Sequence, residues 1–413
     1  MNPVNHILII GSVWPEPNSS AAGSRMMQLI YLFIEKGWKV TFASAAADSE
    51  FMFDVRKIGV EKVSIELNNI SFDTFISSIN PSIVVFDRFM TEEQFGWRVA
   101  EICPDALRIL DTEDLHCLRL ARQKAFKENK VFSSDDLTSD VAKREIASIL
   151  RCDISLIISN VEMELLQKQF KIDAALLCSL PFMLEPISDD TISNWPAFES
   201  RNNFITIGNF LHEPNWNAVQ YLKEDIWPLI RKQLPEAELH VYGAYPSQKV
   251  QELHQPKQGF FIKGRAEDAA TVVKQARVCL APLRFGAGIK GKLVEAMLCG
   301  TPSVTTDIGA EAMHGNLEWS GVIANMAEDI ASAAIELYNN KIEWLKAQKK
   351  GVKIINTIYS KAIVAEPFIK HVLQVQNTLK KHRLANFTGA MLMHHTLSST
   401  KYMARWIEAK NKA

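Results

Sequence analysis

The chain alternates between short runs of consecutive apolar residues and longer segments in which apolar residues recur at helical spacing. The run HILII at residues 6–10 stops at Gly11, as expected for a strand that is buried on both faces. Residues 24–36 then predict a helix that ends at Gly37, and residues 38–43 predict the next strand. This β-α-β order indicates a parallel sheet covered by helices on both faces.

The alternation continues in two blocks along the chain. Further strands are predicted at residues 83–86, 107–110, 154–158, 204–207, 238–242, 259–262, 278–281 and 303–306. A stretch rich in Pro, Ser, Asp and Asn at residues 184–203 separates the blocks, and helical segments replace strands beyond residue 328. We therefore predict an α/β fold with two Rossmann-like, doubly wound domains, residues 1–190 and 200–365, facing a cleft. A helical C-terminal segment, residues 366–413, follows them.

The last residues, 383–413, mix basic side chains with large apolar ones. The apolar residues are Met391, Leu392, Met393, Met403 and Trp406. Our favoured interpretation is that this tail packs on the protein or frays, and contact with a membrane surface is the alternative.

Composition narrows the class of protein. The 46 Lys and Arg residues nearly balance 47 Asp and Glu residues, which argues against a nucleic-acid-binding protein. A hydrophobic share of 47% indicates a globular chain, and no window of ~18 apolar residues predicts a membrane span. The six cysteines form no C-x-x-C pair, so we expect buried, reduced thiols and a cytoplasmic protein.

A glycine-rich loop in the second block carries the strongest chemical signal. Gly286, Gly288 and Gly291 follow a predicted strand and precede a predicted helix over residues 292–298. Glycines let a backbone approach a ligand closely, and the first N–H groups of a helix attract an anion. The loop is therefore predicted to bind a phosphate group.

Charged residues around this loop support that prediction. Lys290 and Lys292 lie at the predicted helix start, and Arg284 precedes the loop, so the segment suits a diphosphate. Glu295 lies one turn into the helix, where its carboxylate can accept hydrogen bonds from sugar hydroxyls.

The spacing Gly286-x-Gly-x-x-Gly291 also matches the dinucleotide-binding fingerprint. Asp307 follows ~20 residues later, where a ribose-binding acid belongs. An NAD(P)-dependent oxidoreductase is therefore an alternative. The loop's place deep in the second block, with two lysines at the helix start, counts against it.

The run PLRFGAGIKGKLVEAMLCGTP at residues 282–302 resembles the donor-site signature of group 1 glycosyltransferases of the GT-B fold, which are retaining enzymes that use nucleotide-sugars. Two further segments resemble this family: GNFLHEPNWNA at residues 208–218, at the start of the second domain, and AAGSR at residues 21–25, in the first βα loop. The resemblance spans roughly residues 5–360 and leaves out the tail.

The resemblance implies roles for the donor-site residues. Glu295 would hold the ribose, Lys290 and Lys292 would neutralise the diphosphate, and Gly23 would lie close to it. The first glutamate of the family's Glu-seven-residues-Glu motif falls at Ala287, so recognition of the donor sugar differs.

Many members of the family carry an Arg and a Lys after the first strand of the second domain. This chain lacks that basic pair. Asn209 and Asn215 stand near those places. Our hypothesis is that the two lysines of the glycine loop take over the phosphate role.

The run LDTEDLHCLRLAR follows a predicted strand of the first domain and so faces the cleft. In members with a similar D-x-x-D-L-H-x-x-R stretch, the histidine reaches the donor sugar or the acceptor, so we predict His116 as catalytic. Asp114 and Arg119 are weaker candidates for sugar or acceptor binding. Arg119 and Arg122 either bind an anionic group or pair with Glu113 and Asp114.

Neither a metal site nor a resident cofactor is predicted, because the sequence has no H-x-x-x-H and no D-x-D motif. Ser159 and Glu162 read as a capping box at a helix start.

Together these features predict a metal-independent, retaining glycosyltransferase. Its partners would be a nucleotide-sugar donor and a glycan or lipid-linked acceptor, with peripheral membrane contact left open and no nucleic acid. A catalytically silent nucleotide-sugar-binding protein is the second alternative, because Ala287 replaces a motif glutamate.

Overall fold

The computed structural model describes residues 5–394 together with Tyr402, Trp406 and Lys410. It contains two parallel β-sheets, each covered by helices, and further helices follow the second sheet. The predicted α/β fold with two Rossmann-like domains is confirmed.

Seven parallel strands form the first sheet. They are β1 (His6–Gly11), β2 (Lys39–Ser44), β3 (Glu61–Ser64), β4 (Ile83–Asp87), β5 (Leu107–Asp111), β6 (Ile154–Ile157) and β7 (Leu177–Ser179). Their order in the sheet is β3-β2-β1-β4-β5-β6-β7. Ile7 and Ile9 pack into one core while Leu8 and Ile10 pack into another on the opposite face. Burial on both faces explains why β1 is continuously apolar.

Six parallel strands form the second sheet. They are β8 (Asn202–Ile207), β9 (Leu239–Tyr242), β10 (Phe260–Gly264), β11 (Ala276–Ala281), β12 (Ser303–Thr305) and β13 (Gly321–Ile323). Their order is β10-β9-β8-β11-β12-β13. Every predicted strand is present. The three strands that were not predicted, β3, β7 and β13, are all short edge strands, and so lack a long apolar run.

Eighteen α-helices are described. They are α1 (Ala21–Glu35), α2 (Ser71–Ile79), α3 (Phe89–Ile102), α4 (His116–Lys127), α5 (Asp140–Arg151), α6 (Asn160–Lys168), α7 (Asp189–Ser193), α8 (Glu213–Tyr221), α9 (Trp227–Gln233), α10 (Gln248–Gln251), α11 (Ala269–Gln275), α12 (Gly291–Leu298), α13 (Asp307–Ala310), α14 (Ala327–Asn339), α15 (Lys341–Ile358), α16 (Lys361–Asn377), α17 (Leu379–Ala385) and α18 (Phe387–Met393).

The chain passes between the domains twice, and the two crossings are hydrogen-bonded to each other. The Leu184 N–H donates to the Tyr359 carbonyl at 2.7 Å, and the Lys361 N–H donates to the Leu184 carbonyl at 2.8 Å. The first crossing opens the segment that composition marked as a linker. The second sends α16 back onto the first domain, where Phe368 and Val372 are buried in its core.

The start of the tail packs on the first domain. Arg383 donates to Asp153 at 2.8 Å, and the Asn386 side chain donates to the Leu150 carbonyl at 2.7 Å. Trp406 is exposed, and Met403 lies outside the described residues. In the described part of the chain, no helix is both long and apolar enough to cross a membrane. All six cysteines are buried free thiols, as predicted.

Candidate active site

A cavity of about 920 Å³ lies between the two sheets, at the carboxyl ends of their strands. Both domains contribute to its wall. The predicted site residues that line it are Gly23, Asp114, His116, Arg119, Gly286, Gly288, Lys290, Lys292 and Glu295. The tertiary structure therefore brings all the predicted site residues together except Arg284.

Arg284 is held away from the cavity. Its Nε donates to Asn217 Oδ1 at 2.9 Å, and its guanidinium lies over the rings of Phe126 and Tyr221, 4.6 and 4.4 Å from their centroids. The expected contact between Arg284 and a donor phosphate is therefore not supported, because two aromatic rings and an amide already hold this side chain.

The glycines of the loop let the other domain approach as well as lining the cavity. Gly288 has a φ of 63°, and a Cβ on it would lie 2.9 Å from the Asp114 Cβ. A Cβ on Gly291 would lie 2.4 Å from the Ala21 Cβ, at the first residue of α1. Larger residues at either position would force the domains apart, and at Gly288 they would also strain the backbone.

Two helix N-termini meet across the cleft at this point. Helix α12 begins at Gly291, and α1 begins at Ala21 with Ser20 as its N-cap. Position 23 in the first turn of α1 has room only for glycine, because a Cβ there would lie 2.4 Å from the Glu16 carbonyl oxygen. The first N–H groups of both helices therefore create a positive potential on the same part of the cavity wall.

Lys290 and Lys292 add to this positive potential from inside the protein. Lys290 Nζ donates to the Gly288 carbonyl at 2.8 Å, and a Cβ on Gly208 would lie 2.8 Å from Lys292 Nζ. Gly208 directly follows β8, so Lys292 occupies the place where the basic pair of many family members is missing. Burial lowers the pKa of each lysine to about 8. Neither forms an ion pair within the described residues, so both can interact with an incoming anion.

Glu295 lies on the cavity wall one turn into α12. Burial raises the pKa of its carboxyl, and the Cys299 thiol lies 3.6 Å from its Oε1. The carboxylate can accept hydrogen bonds from hydroxyls in the cavity, as the ribose role requires.

His116 is the first residue of α4 and is fixed by a carboxylate from α5. Glu145 is buried, and it accepts hydrogen bonds from the backbone N–H groups of His116 and Cys117 at 2.9 and 2.8 Å. His116 Nδ1 lies 3.5 Å from a carboxylate oxygen of Asp114 and of Glu145. Two carboxylates thus lie beside the imidazole, and its buried Nδ1 has no hydrogen-bond partner among the described residues.

Asp114 and Arg119 pair with each other, with 2.7 Å between Oδ2 and Nε. Burial would raise the pKa of Asp114, but the charges of Arg119 and His116 outweigh it and lower the pKa to about 2. His212, which sequence reasoning did not select, also lines the cavity. Burial, together with Arg119, lowers its pKa to about 4, so His212 is neutral at physiological pH.

Arg122 adopts neither of the two predicted arrangements. Its guanidinium forms two 2.7 Å hydrogen bonds with the carboxylate of Glu311 in the second domain, and it also donates to the Gly286 carbonyl at 2.9 Å. The prediction of a free anion-binding group or a local pair with Glu113 or Asp114 is therefore wrong for Arg122. For Arg119, the local pair with Asp114 is confirmed.

Ser159 caps α6, but the predicted capping box is incomplete, because the Glu162 carboxylate accepts from the Ser159 hydroxyl and not from the Ser159 backbone N–H. The Ser159 hydroxyl accepts a hydrogen bond from the Glu162 N–H at 3.1 Å. The Glu162 carboxylate also accepts from the N–H groups of Leu115 and of Gly288, each at 2.9 Å. Burial, with Asp114 nearby, raises the pKa of Glu162 to about 7. The spacing revealed the cap, but only the tertiary structure reveals the contact with the glycine loop.

Comparison with known proteins identifies the second domain. Residues 201–340, which include β8, the glycine loop and α12, match the family model of glycosyl transferases group 1. No curated protein sequence is significantly similar to the chain.

Solved structures share the whole architecture. S. aureus TarM, in complex with fondaparinux, alpha-GlcNAc-glycerol and UDP, superposes with a TM-score of 0.67 at 10% identity, covering 89% of this chain and all of TarM. Anabaena HepE, in complex with UDP and glucose, superposes with a TM-score of 0.65 at 13% identity. The match covers 89% of this chain and 98% of HepE. The sucrose-phosphate synthase of Thermosynechococcus elongatus superposes with a TM-score of 0.65 at 15% identity. The match covers 91% of this chain and 100% of the synthase chain. The whole chain therefore shares the GT-B fold of these structures, and its second domain matches the model of glycosyl transferases group 1.

Proposed function

We propose that this protein transfers a sugar from a nucleotide-sugar to a hydroxyl group of a glycan or lipid-linked acceptor, with retention of the anomeric configuration. One observation carries the proposal: two helix N-termini and two lysines, which form no ion pair with any described residue, converge on one wall of the interdomain cavity. This arrangement suits a diphosphate leaving group, whose developing charge is the main electrostatic demand of glycosyl transfer.

The second domain would hold the donor. Lys292 and the start of α12 would contact the diphosphate, and Glu295 would accept hydrogen bonds from the ribose hydroxyls. UDP is the first nucleotide to test, because it is bound in the TarM and HepE structures. Metal-independent transfer is part of the proposal, since lysines and backbone N–H groups supply the positive charge.

The first domain would hold the acceptor beside His116. Asp87, Arg88 and Glu113 line the cavity at the ends of β4 and β5. Burial and the nearby Asp111 raise the pKa of Glu113 well above its ordinary value, which favours the protonated form that can donate a hydrogen bond. A wall with both donors and acceptors suits a hydroxyl-rich acceptor.

Retention is proposed from the family resemblance, and the site geometry agrees with a front-face reaction. Asp114, the carboxylate beside His116, is paired with Arg119, which reduces its availability as a nucleophile. The donor phosphate would then assist deprotonation of the acceptor hydroxyl on the side where the leaving group departs.

Nucleotide-sugars, free UDP and NADH can be compared in one thermal-shift panel, because a ligand that binds the folded state raises its melting temperature. We expect UDP and one nucleotide-sugar to raise it and NADH to leave it unchanged. Stabilisation by NADH alone would favour the oxidoreductase alternative. Release of UDP from the best donor then separates an enzyme from a catalytically silent binder.

Replacing Lys292 tests the donor site directly. Lys292→Ala should weaken UDP binding by about tenfold or more, because it removes a charge-assisted hydrogen bond worth roughly 1.5–3 kcal/mol. Calorimetric titration with UDP measures the loss, and Lys263→Ala, at an exposed position of the same domain, is the matched control. Equal affinities for the wild type and Lys292→Ala would contradict the proposed phosphate role.

A further inference from the structure

Two side chains of the first domain hold the two peptide groups that flank Ala287. Arg122 donates to the Gly286 carbonyl, which belongs to the peptide before Ala287, at 2.9 Å. Glu162 accepts from the Gly288 N–H, which belongs to the peptide after Ala287, at 2.9 Å. The glycine loop of the second domain is thus held from across the cleft, on both sides of the residue that lacks a functional side chain.

Each of these side chains also connects to other parts of the site. Glu162 Oε1 accepts a second hydrogen bond, from the Leu115 N–H at 2.9 Å, and Leu115 immediately precedes His116. Arg122 also pairs with Glu311 on the other side of the cleft, at 2.7 Å for both oxygens. One carboxylate therefore links the His116 segment to the loop, and one guanidinium links α4 to two points of the second domain.

These contacts depend on closure of the cleft. Glu162 is 1% exposed. Opening the cleft would break its hydrogen bond with the Gly288 N–H and expose both groups to water. Arg122 would leave Glu311 and the Gly286 carbonyl at the same time. Because hydrogen bonds weaken steeply with distance, the loop would lose both contacts after a small separation.

We propose that Arg122 and Glu162 are positioning residues, which place the backbone of the glycine loop against His116 when the domains close. In this arrangement the loop is fixed through its peptide groups, which do not depend on the side chain at position 287. The inference rests on the proposed function for its catalytic consequence, while the closure itself can be measured without catalysis.

Kinetics with matched variants test the catalytic consequence. Arg122→Ala and Glu162→Ala should lower kcat by about tenfold or more, and should change the Kd for UDP by less than about threefold, because they remove positioning and leave the donor wall intact. Glu162→Gln keeps a carbonyl oxygen for both N–H groups and should recover most of the activity. Arg151→Ala breaks a comparable buried pair with Glu92 inside the first domain and is the control.

A distance measurement tests the closure. Cysteines placed at the exposed Ser77 and Lys249, one in each domain, can carry spin labels, because the six native cysteines are buried. With UDP bound, the wild type and Arg151→Ala should show one distance, and both Arg122→Ala and Glu162→Ala should add a longer one.

The outcomes separate this inference from the proposed function. If the wild type transfers no sugar, the proposed function fails and the distances alone decide the inference. Unchanged distances in both alanine variants would overturn it. A loss of kcat in Arg151→Ala equal to that in Arg122→Ala would also overturn it, because the effect would then be one of general stability.

Discussion

At the scale of single residues, the site is built from charged groups that burial has moved away from their ordinary pKa values. The pKa values of Lys290 and Lys292 fall to about 8, and that of Glu162 rises to about 7. Burial disfavours the charged form of each group, and a partner of opposite charge favours it. For the lysines, that partner is the diphosphate of the proposed donor.

The lysine pKa values predict how binding depends on pH. The protonated lysines bind the diphosphate, so UDP affinity should be highest near pH 7 and fall as the pH rises through the lysine pKa of about 8. Above its pKa, each lysine that must be protonated for binding lowers the affinity for UDP by up to about tenfold per pH unit. Calorimetric titrations from about pH 7 to about pH 9, in buffers of different ionisation enthalpy, would also detect proton uptake on binding. A UDP affinity that does not change over this range would contradict the prediction.

At the scale of secondary-structure elements, the site depends on two helices that start at the same place. Helices α1 and α12 come from different domains, and Ala21 and Gly291 are their first residues. The absence of a side chain on Gly291 allows this close approach. Because a helix concentrates its positive potential in its first turn, only close starts can act on the same anion.

Gly291→Ala tests this element. The new methyl group would lie 2.4 Å from the Ala21 Cβ, so the helices must separate. We expect kcat/KM for the donor to fall by about tenfold, while the free energy of unfolding changes by less than about 1 kcal/mol, because alanine favours a helix. Urea denaturation and donor kinetics measure the two quantities.

A compensating variant provides the control for this prediction. Gly291→Ala combined with Ala21→Gly removes the other methyl group and should recover most of the lost activity. If the double variant is no more active than Gly291→Ala alone, the steric explanation is wrong.

At the scale of the whole molecule, the C-terminal helices tie the domains together. Helix α16 follows the second domain in the chain, yet Phe368, Ile369 and Val372 are buried in the core of the first. The adjacent crossings at Leu184 and Lys361 leave the two domains connected at one edge, as a hinge requires.

This connection makes the first domain sensitive to a mutation near the C-terminus. Phe368→Ala should destabilise the first domain by roughly 3–5 kcal/mol, because it leaves a cavity in that core. Phe204→Ala, in the core of the second domain, is the control. Limited proteolysis with fragment mapping should show early cleavage in the first domain for Phe368→Ala and in the second for Phe204→Ala. Early cleavage in the second domain for both variants would contradict the assignment of α16.

Much of the fold and part of the site could be predicted, because both depend on neighbours along the chain. Buried parallel strands need apolar runs on both faces, so β1 and the strands like it were predicted, whereas the edge strands β3, β7 and β13 were not. The phosphate chemistry was also local, because Gly288, Lys290 and Lys292 lie within one loop and one helix turn.

The amino-acid sequence was sufficient to predict the two α/β domains, the family resemblance and the composition of the phosphate-binding loop. Three contacts became visible only in the folded chain: Arg284 turns away from the cavity, Arg122 pairs with Glu311, and Glu162 reaches the glycine loop. Each of these contacts joins residues that are far apart in the chain, so no local pattern of residues could predict it. Residue types along the chain define what each side chain can do, and the fold alone decides which side chains meet.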